Sequence, residues 1–336
     1  MKKKNLLGVR DKLSESANIL ARILITGDSH LSSRNYGAHQ NYPKETLHYF
    51  RLTTDMAKEL GATHYIGLGD FTYGRFHSLE YREEVEKILQ EQYEITNGNR
   101  WEIKGNHDEA SYGRTEYEYY KGRGMIRGSE YIKIGNVNIN MVDYGKYNET
   151  NVVLGGEDEI NVILTHGYFV FNNTQMPAYG DPIYLDNFEE WCGVDYIICG
   201  HIHQEHIFDG YISNSEGKSH PCVVHYLPCL SRPAYLGELT PEVGRVVLLT
   251  IYDNGTMKYD MIDVPLLPIE QSFNLALKEK KKKHSEYVHV DVSDVVKQLA
   301  SHQRTIGNPE DIIMAKADIP EKYRIKAVDL LKNATK

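Results

Sequence analysis

Over residues 21–263 short apolar runs alternate with stretches in which apolar residues recur at helical spacing. ARILIT (21–26) reads as a strand, and the stretch 43–60 carries Leu47, Phe50, Met56 and Leu60 at mostly helical spacing, with Gly61 as the expected stop. THYIGL (63–68) reads as a strand, 79–92 as a helix and RWEIK, just before Gly105, as a strand. Further strands are expected at YIKI (131–134), VNINMV (137–142), NVILT (161–165), VDYIIC (194–199), VVHYL (223–227) and RVVLLTIY (245–252). The last faces MKYDMI (257–262) across Asn254-Gly255, a two-residue hairpin signal. Early alternation of strand and helix followed by mostly strand pairing predicts an α/β fold with two mixed β-sheets sandwiched between helices.

Beyond Pro268 the pattern changes. KEKKKKH (278–284) is a dense basic run, followed by two short helical patterns at 293–301 and 320–333. The expected organisation is an N-terminal extension (1–20), a catalytic domain (21–269) and a basic linker with a small helical C-terminal appendage (270–336). The run reads first as a solvated face or linker, and second as a contact for nucleic acid, a protein partner or self-association.

Composition excludes several classes. With 336 residues, 41% hydrophobic and 25% charged, the chain is globular rather than disordered, collagenous or a coiled-coil rod. The four cysteines lack C-x-x-C spacing and read as reduced core thiols. The basic start is followed by too short an apolar run for a signal peptide, and no stretch of about 18 apolar residues occurs, so a cytoplasmic protein without membrane contact is expected. Lys and Arg number 38 against 47 Asp and Glu, a formal charge of -9, so no general basic surface exists to hold a polyphosphate. The split is uneven: residues 270–336 hold 13 Lys and Arg against 10 Asp and Glu, leaving 25 against 37 in the rest. A phosphate-handling body of this kind needs a local source of positive charge.

Five motifs supply a candidate. Asp28-Ser29-His30, Gly69-Asp70, Gly105-Asn106-His107-Asp108, Thr165-His166-Gly167 and Gly200-His201-Ile202-His203 each stand at or just after a predicted strand end. That is where α/β folds place ligand sites. Each alone is a common turn or an ordinary histidine; together they place Asp, Asn or His directly after each of five apolar strands. In an extended D-x-H or H-x-H, residues i and i+2 point the same way, so one strand end can offer two ligands. Asp28, His30, Asp70, Asn106, His166, His201 and His203 exceed one tetrahedral zinc and suit two ions sharing a carboxylate. Nitrogen and oxygen donors favour manganese first, with iron, zinc, cobalt or nickel as alternatives. Two such ions would neutralise phosphate oxygens and acidify a water, as phosphoester hydrolysis requires.

The ordered set DSH, GD, GNHD, THG and GHIH resembles the calcineurin-like metallophosphoesterase superfamily over about residues 21–265. The resemblance implies one ion on Asp28, His30, Asp70 and His203, and another on Asp70, Asn106, His166 and His201, with Asp70 bridging. It further implies that a hydroxide between the ions attacks phosphorus. His107 would be the general acid that protonates the leaving oxygen, and Asp108 would orient its imidazole. DSHL (28–31), THG and GHIH are similar to the Mre11/SbcD-type nucleases; GDFTY and LPCLSRPAY depart from their pattern, and the tail is short for their capping domain. The expected function is hydrolysis of phosphodiesters, most of all DNA or RNA. A small-molecule nucleotide or cyclic-nucleotide phosphohydrolase is the alternative, and a non-catalytic scaffold the third reading. Arg34, Arg75, Arg114 and Arg232 are candidates to hold a phosphate oxygen. Tyr36, Tyr42, Tyr73, Tyr112 and Tyr168 are candidates to stack on a base, and His206 is the one further histidine singled out.

Overall fold

The computed structural model describes residues 17–36, 38–73, 77–109, 114–172, 174, 181–232, 243–274 and 325. The chain divides into units 1–274 and 275–336, so the basic run and both tail helix patterns lie outside the described residues, Ile325 excepted. In chain order the elements are β1 (Ile19–Thr26), α1 (Tyr42–Glu59), β2 (His64–Gly67), α2 (Leu79–Ile95), β3 (Arg100–Glu102), α3 (Glu116–Gly122), β4 (Tyr131–Ile134) and β5 (Val137–Val142). There follow β6 (Ile160–His166), β7 (Phe169–Val170), β8 (Ile183–Tyr184), β9 (Tyr196–Gly200), β10 (His206–Ser213), β11 (Ser219–Tyr226), β12 (Val243–Tyr252), β13 (Met257–Pro265) and α4 (Ile269–Ser272).

Two mixed sheets form, in the orders β13-β12-β1-β2-β3 and β10-β11-β9-β6-β5-β4, with a small β7-β8 pair beside them. Strands β1, β2 and β3 are parallel to one another, as are β5, β6, β9 and β11. The side-chain period of two sorts the core. Ile23 and Ile25 of β1 join Ile66, Val247 and Leu249 against Val137, Ile139, Val162, Leu164 and Ile198 of the other sheet. Leu24, pointing the other way, packs with Tyr49 and Ala57 of α1. On the far face of the six-stranded sheet, Ile163, Ile197 and Cys199 are covered by Phe169, Leu185, Phe188 and Trp191. Because both faces are buried, these strands read as continuous apolar runs rather than alternating ones. Each fully buried Leu, Ile or Val contributes roughly 1.5–3 kcal/mol relative to exposure.

Helix starts follow side-chain capping: Asn41, Ser78 and Thr115 accept from the amides of Lys44, Tyr81 and Glu118. The expected two-residue hairpin turn is one residue longer. Tyr252 N–H donates to Thr256 O at 3.0 Å, so Asp253, Asn254 and Gly255 form the loop, with only Gly255 at positive φ. No described helix is long and apolar enough to cross a membrane, and all four cysteines are free thiols.

Candidate metal centre

All five motifs leave carboxyl ends of parallel strands. The loops after β1, β2 and β3 carry Asp28, His30, Asp70 and Asn106; His166 ends β6, and the loop after β9 carries His201 and His203. They meet at the seam between the sheets. His30, Asp70 and His201 have φ of 43°, 45° and 87°, a left-handed backbone that costs a non-glycine residue about 1–3 kcal/mol. Hydrogen bonds hold it: His30 N donates to Asp70 O at 2.8 Å, and His201 N donates to the Asp28 carboxylate at 3.0 Å. The loop before His201 passes so close that a Cβ on Gly200 would lie 2.3 Å from Asp28 Oδ1 and 2.5 Å from Leu68 O.

The donors fall into two clusters that share Asp70. In the first, His30 Nε2 is 3.1 Å from His203 Nε2, 3.7 Å from Asp70 Oδ2 and 3.9 Å from Asp28 Oδ2, while His203 Nε2 is 3.5 Å from Asp28 Oδ2. In the second, Asn106 Oδ1 is 3.0 Å from both His166 Nε2 and His201 Nδ1, and Asp70 Oδ2 is 3.3 Å from His166 Nε2. His166 Nδ1 is fixed by Leu68 O at 2.8 Å, the kind of backbone bond that sets an imidazole's tautomer. Asp28, His30, Asp70 and His166 are at most 1% exposed.

Electrostatics agree with a cation site. Burial, reinforced by the Asp70 charge, pushes Asp28 up to about 7. Burial opposes charge on His166 as well, yet Asp70 and Asp28 together raise it to about 9. Burial also works against the Asp70 charge, but His166 and His30 hold it well below the usual carboxylate range. Burial lowers His201 and His203 to about 4 and His30 well below its ordinary value. Three of the four imidazoles are therefore neutral near pH 7, which is the ligating form. The donor set fits two divalent ions: buried carboxylates and neutral imidazoles converge at distances that place them as neighbours around a cation.

The other predicted residues separate. His107 is exposed at the rim; its amide donates to Asp70 Oδ1 at 2.7 Å, and its ring meets His30 edge-on at 5.2 Å and Tyr73 at 4.8 Å between centroids. The role for Asp108 is corrected. Its carboxylate is fully buried and accepts from the amides of Phe71, Thr72 and Gly105, each at 3.0 Å, and from Thr72 Oγ1 at 3.3 Å. Four bonds fill a carboxylate's acceptor capacity, so Asp108 ties the Asp70 loop to the Asn106 loop instead of orienting the His107 ring.

Arg232 is likewise corrected. It is 2% exposed, and its Nη2 binds Glu45 Oε1 at 2.9 Å, Leu267 O at 2.8 Å and the Ser272 hydroxyl, a structural ion pair and no phosphate grip. Arg34 and Arg114 are exposed, while Arg75 and Tyr112 lie outside the described residues. Tyr42 is buried, with its hydroxyl on His30 O and Ser231 Oγ; Tyr168 belongs to the apolar cluster outside the six-stranded sheet. Tyr73 and Tyr36, 4.3 Å apart between centroids and half-buried, remain beside the first cluster. His206 pairs with Tyr226 in β10 and joins no metal-competent group among the described residues.

Two neighbours escaped the sequence reading. Tyr144 packs 6.0 Å from His166 and 6.1 Å from His201. Cys229 joins His30 and His203 in a group whose ligand atoms lie within 4.8 Å. A signal existed for the second, since Cys229 follows β11 just as the motif residues follow their strands.

Residues 21–205, more than half of the chain, match the family model described as calcineurin-like phosphoesterase. Among curated proteins no sequence matches. Among solved structures the chain is similar to a zebrafish (Danio rerio) protein described as a dimetal phosphatase, at 12% identity and a TM-score of 0.39, covering 74% of this chain and 100% of that one.

Proposed function

Starting from the fact that this chain belongs to the calcineurin-like phosphoesterase family, and so is a metal-dependent phosphoesterase, we propose that it hydrolyses phosphodiesters with two divalent ions, nucleic acid being the leading substrate. The observation that carries the reading is the position of Asp70, whose Oδ2 faces His30 at 3.7 Å on one side and His166 at 3.3 Å on the other. Asp28, His30, Asp70 and His203 would hold one ion, and Asp70, Asn106, His166 and His201 the other. Bound there, the pair supplies charge for phosphate oxygens and acidifies water.

The chain's own groups do the rest. Asp70 Oδ1 accepts the His107 amide, so the residue that shares both clusters also fixes where the exposed imidazole stands. From the rim His107 delivers a proton to the leaving oxygen. Asp108 keeps the two loops in register through its four bonds. Tyr73 and Tyr36 offer aromatic faces beside the centre for a base to stack on.

The motifs DSHL, THG and GHIH support a polymer substrate, whereas the acidic body favours the second reading, a nucleotide or cyclic-nucleotide phosphohydrolase. The basic run 278–284 would provide the grip that the body lacks, or dock a protein partner. The free state of all four thiols accords with a cytoplasmic location.

The test is turnover of the manganese-loaded protein on bis-p-nitrophenyl phosphate, single- and double-stranded DNA, RNA and cyclic nucleotides. Polymer cleavage is expected; turnover of nucleotides alone would move the assignment to the second reading, and none with metal bound would remove both. Because Ser272 and Phe273 belong to the body through Arg232 and His39, the informative truncation ends at Asn274. It should keep small-diester hydrolysis and lose polymer affinity; unchanged affinity refutes a role for the tail.

A further inference from the structure

The two ion positions are chemically unequal. The second cluster offers only oxygen and imidazole nitrogen. The first has a sulfur beside it: Cys229, fully buried, lies with His30 and His203 so that the three ligand atoms fall within 4.8 Å of one another. The thiol is held in place from both neighbouring loops. Its own amide donates to His203 O at 3.3 Å, and Sγ sits 3.3 Å from Asp28 O and 3.3 Å from Ser231 Oγ, a hydroxyl able to donate to a sulfur anion. The other cysteines join no metal-competent group among the described residues.

His30 presents one ring nitrogen to this cluster. His30 is wholly buried, with Nε2 directed at His203 and both carboxylates, yet its Nδ1 has no hydrogen-bond partner. A buried imidazole kept only for structure normally has its polar atoms satisfied. The nitrogen turned to the cluster is Nε2, which lies among His203 Nε2 and the carboxylates of Asp28 and Asp70.

Resting on the dinuclear reading above, we propose that Cys229 is a thiolate ligand of the first ion, so that this position is thiophilic while the second is not. Around one tetrahedral ion, bonds of about 2.3 Å to sulfur and about 2.1 Å to imidazole put the two donor atoms roughly 3.6 Å apart. Closing a cluster whose ligand atoms lie within 4.8 Å onto one ion therefore takes a shift of up to about 1 Å. The thiol proton leaves to solvent as the metal–sulfur bond forms. Thiolate selects zinc, iron or cadmium over manganese, whereas the second cluster of one carboxylate, one amide oxygen and two imidazoles accepts manganese. The consequence is a heterodinuclear centre, with a softer ion on Asp28, His30, Asp70, His203 and Cys229 and a harder one on Asp70, Asn106, His166 and His201.

The experiment is absorption spectroscopy of the full chain, stripped with chelator and reloaded with Co²⁺ to two equivalents. A near-ultraviolet sulfur-to-cobalt charge-transfer band is expected in the wild type and in Cys192→Ser, and is lost in Cys229→Ser. In the same variant Cd²⁺ affinity of the first position should fall at least about tenfold with Mn²⁺ uptake at the second unchanged. Two bound cobalt ions with visible ligand-field bands and no charge-transfer band overturn the proposal while leaving the dinuclear reading intact; this wild-type result decides even if Cys229→Ser does not fold. A band that survives in Cys229→Ser also overturns it. Failure to bind cobalt at all removes both this proposal and the dinuclear reading.

Discussion

The Asp70 carboxylate faces the His166 imidazole at 3.3 Å, both almost wholly buried, and although burial opposes the charge, Asp70 and Asp28 together raise the imidazole to about 9. Without a cation, the proton on His166 is the positive charge that Asp70 and Asp28 gather. Asp70→Asn removes the shared ligand of both clusters. Metal content, measured by atomic emission, should fall from two ions per chain to at most one, with activity lost by more than about 10²-fold. Two tightly held ions in Asp70→Asn would contradict the bridging assignment.

His107 stands at the rim and contributes a backbone amide, not a ring nitrogen, to the Asp70 contact. His107→Gln should therefore keep both ions and lose about 10²–10⁴-fold in kcat on a substrate with a poor leaving group. On p-nitrophenyl esters, whose leaving group needs no proton, the loss should be much smaller. Equal losses on the two substrates would remove the general-acid role.

Arg232→Met takes the guanidinium away from buried Glu45, which keeps the Ser272 hydroxyl and the His39 ring, and breaking a buried ion pair costs up to about 3–5 kcal/mol. Urea unfolding should show this as a lowered midpoint. Pairing the change with Glu45→Gln should recover a large part of the loss, which a double-mutant cycle reads directly. A midpoint that does not move in Arg232→Met would contradict the structural role of this ion pair.

His64 stacks on Trp101 with ring centroids 5.7 Å apart, and burial, aided by the nearby Arg127 charge, lowers it from 6.5 to about 4. The unfolded chain therefore binds a proton at His64 at a pH where the folded chain does not. Stability from this residue is complete above pH 6.5 and declines as the pH falls toward 4. Denaturant midpoints of His64→Gln should fall less steeply across that window than those of the wild type; parallel curves would show that His64 does not contribute.

Strands buried on both faces were legible as apolar runs, as in β1 and β6; YIKI and VNINMV also match β4 and β5 residue for residue, although β4 is partly exposed along its whole length. Strand β10 was not legible, because Asp209-Gly210 in its middle is a strong turn signal. Packing overrides it, since a Cβ on Gly210 would lie 2.4 Å from the Phe171 ring. The convergence of all seven motif residues was readable, because D-x-H and H-x-H spacing after a strand is a local property. Partners far along the chain were not: Arg232 meets Glu45 across 187 positions, and Asp108 reaches the Phe71 and Thr72 amides across 37 and 36. Tyr144 was hidden for the same reason, lying near His166 and His201 in space with no motif of its own, whereas Cys229 had only its place after β11 to mark it.

The five-stranded sheet draws its strands from 19–102 and 243–265, the two flanks of the described body, and the six-stranded sheet from 131–226 between them. Four of the proposed ligands stand on the first and three on the second. A pair of ions held in common would thus act as a clasp across the chain's middle and its flanks, closing a loop that the polypeptide itself leaves open. Such a clasp forms late, when both sheets are already built, so it governs escape from the native state more than arrival. Chelation should then shorten the lifetime of the folded protein, seen as faster unfolding on a denaturant jump, while the refolding rate stays nearly the same.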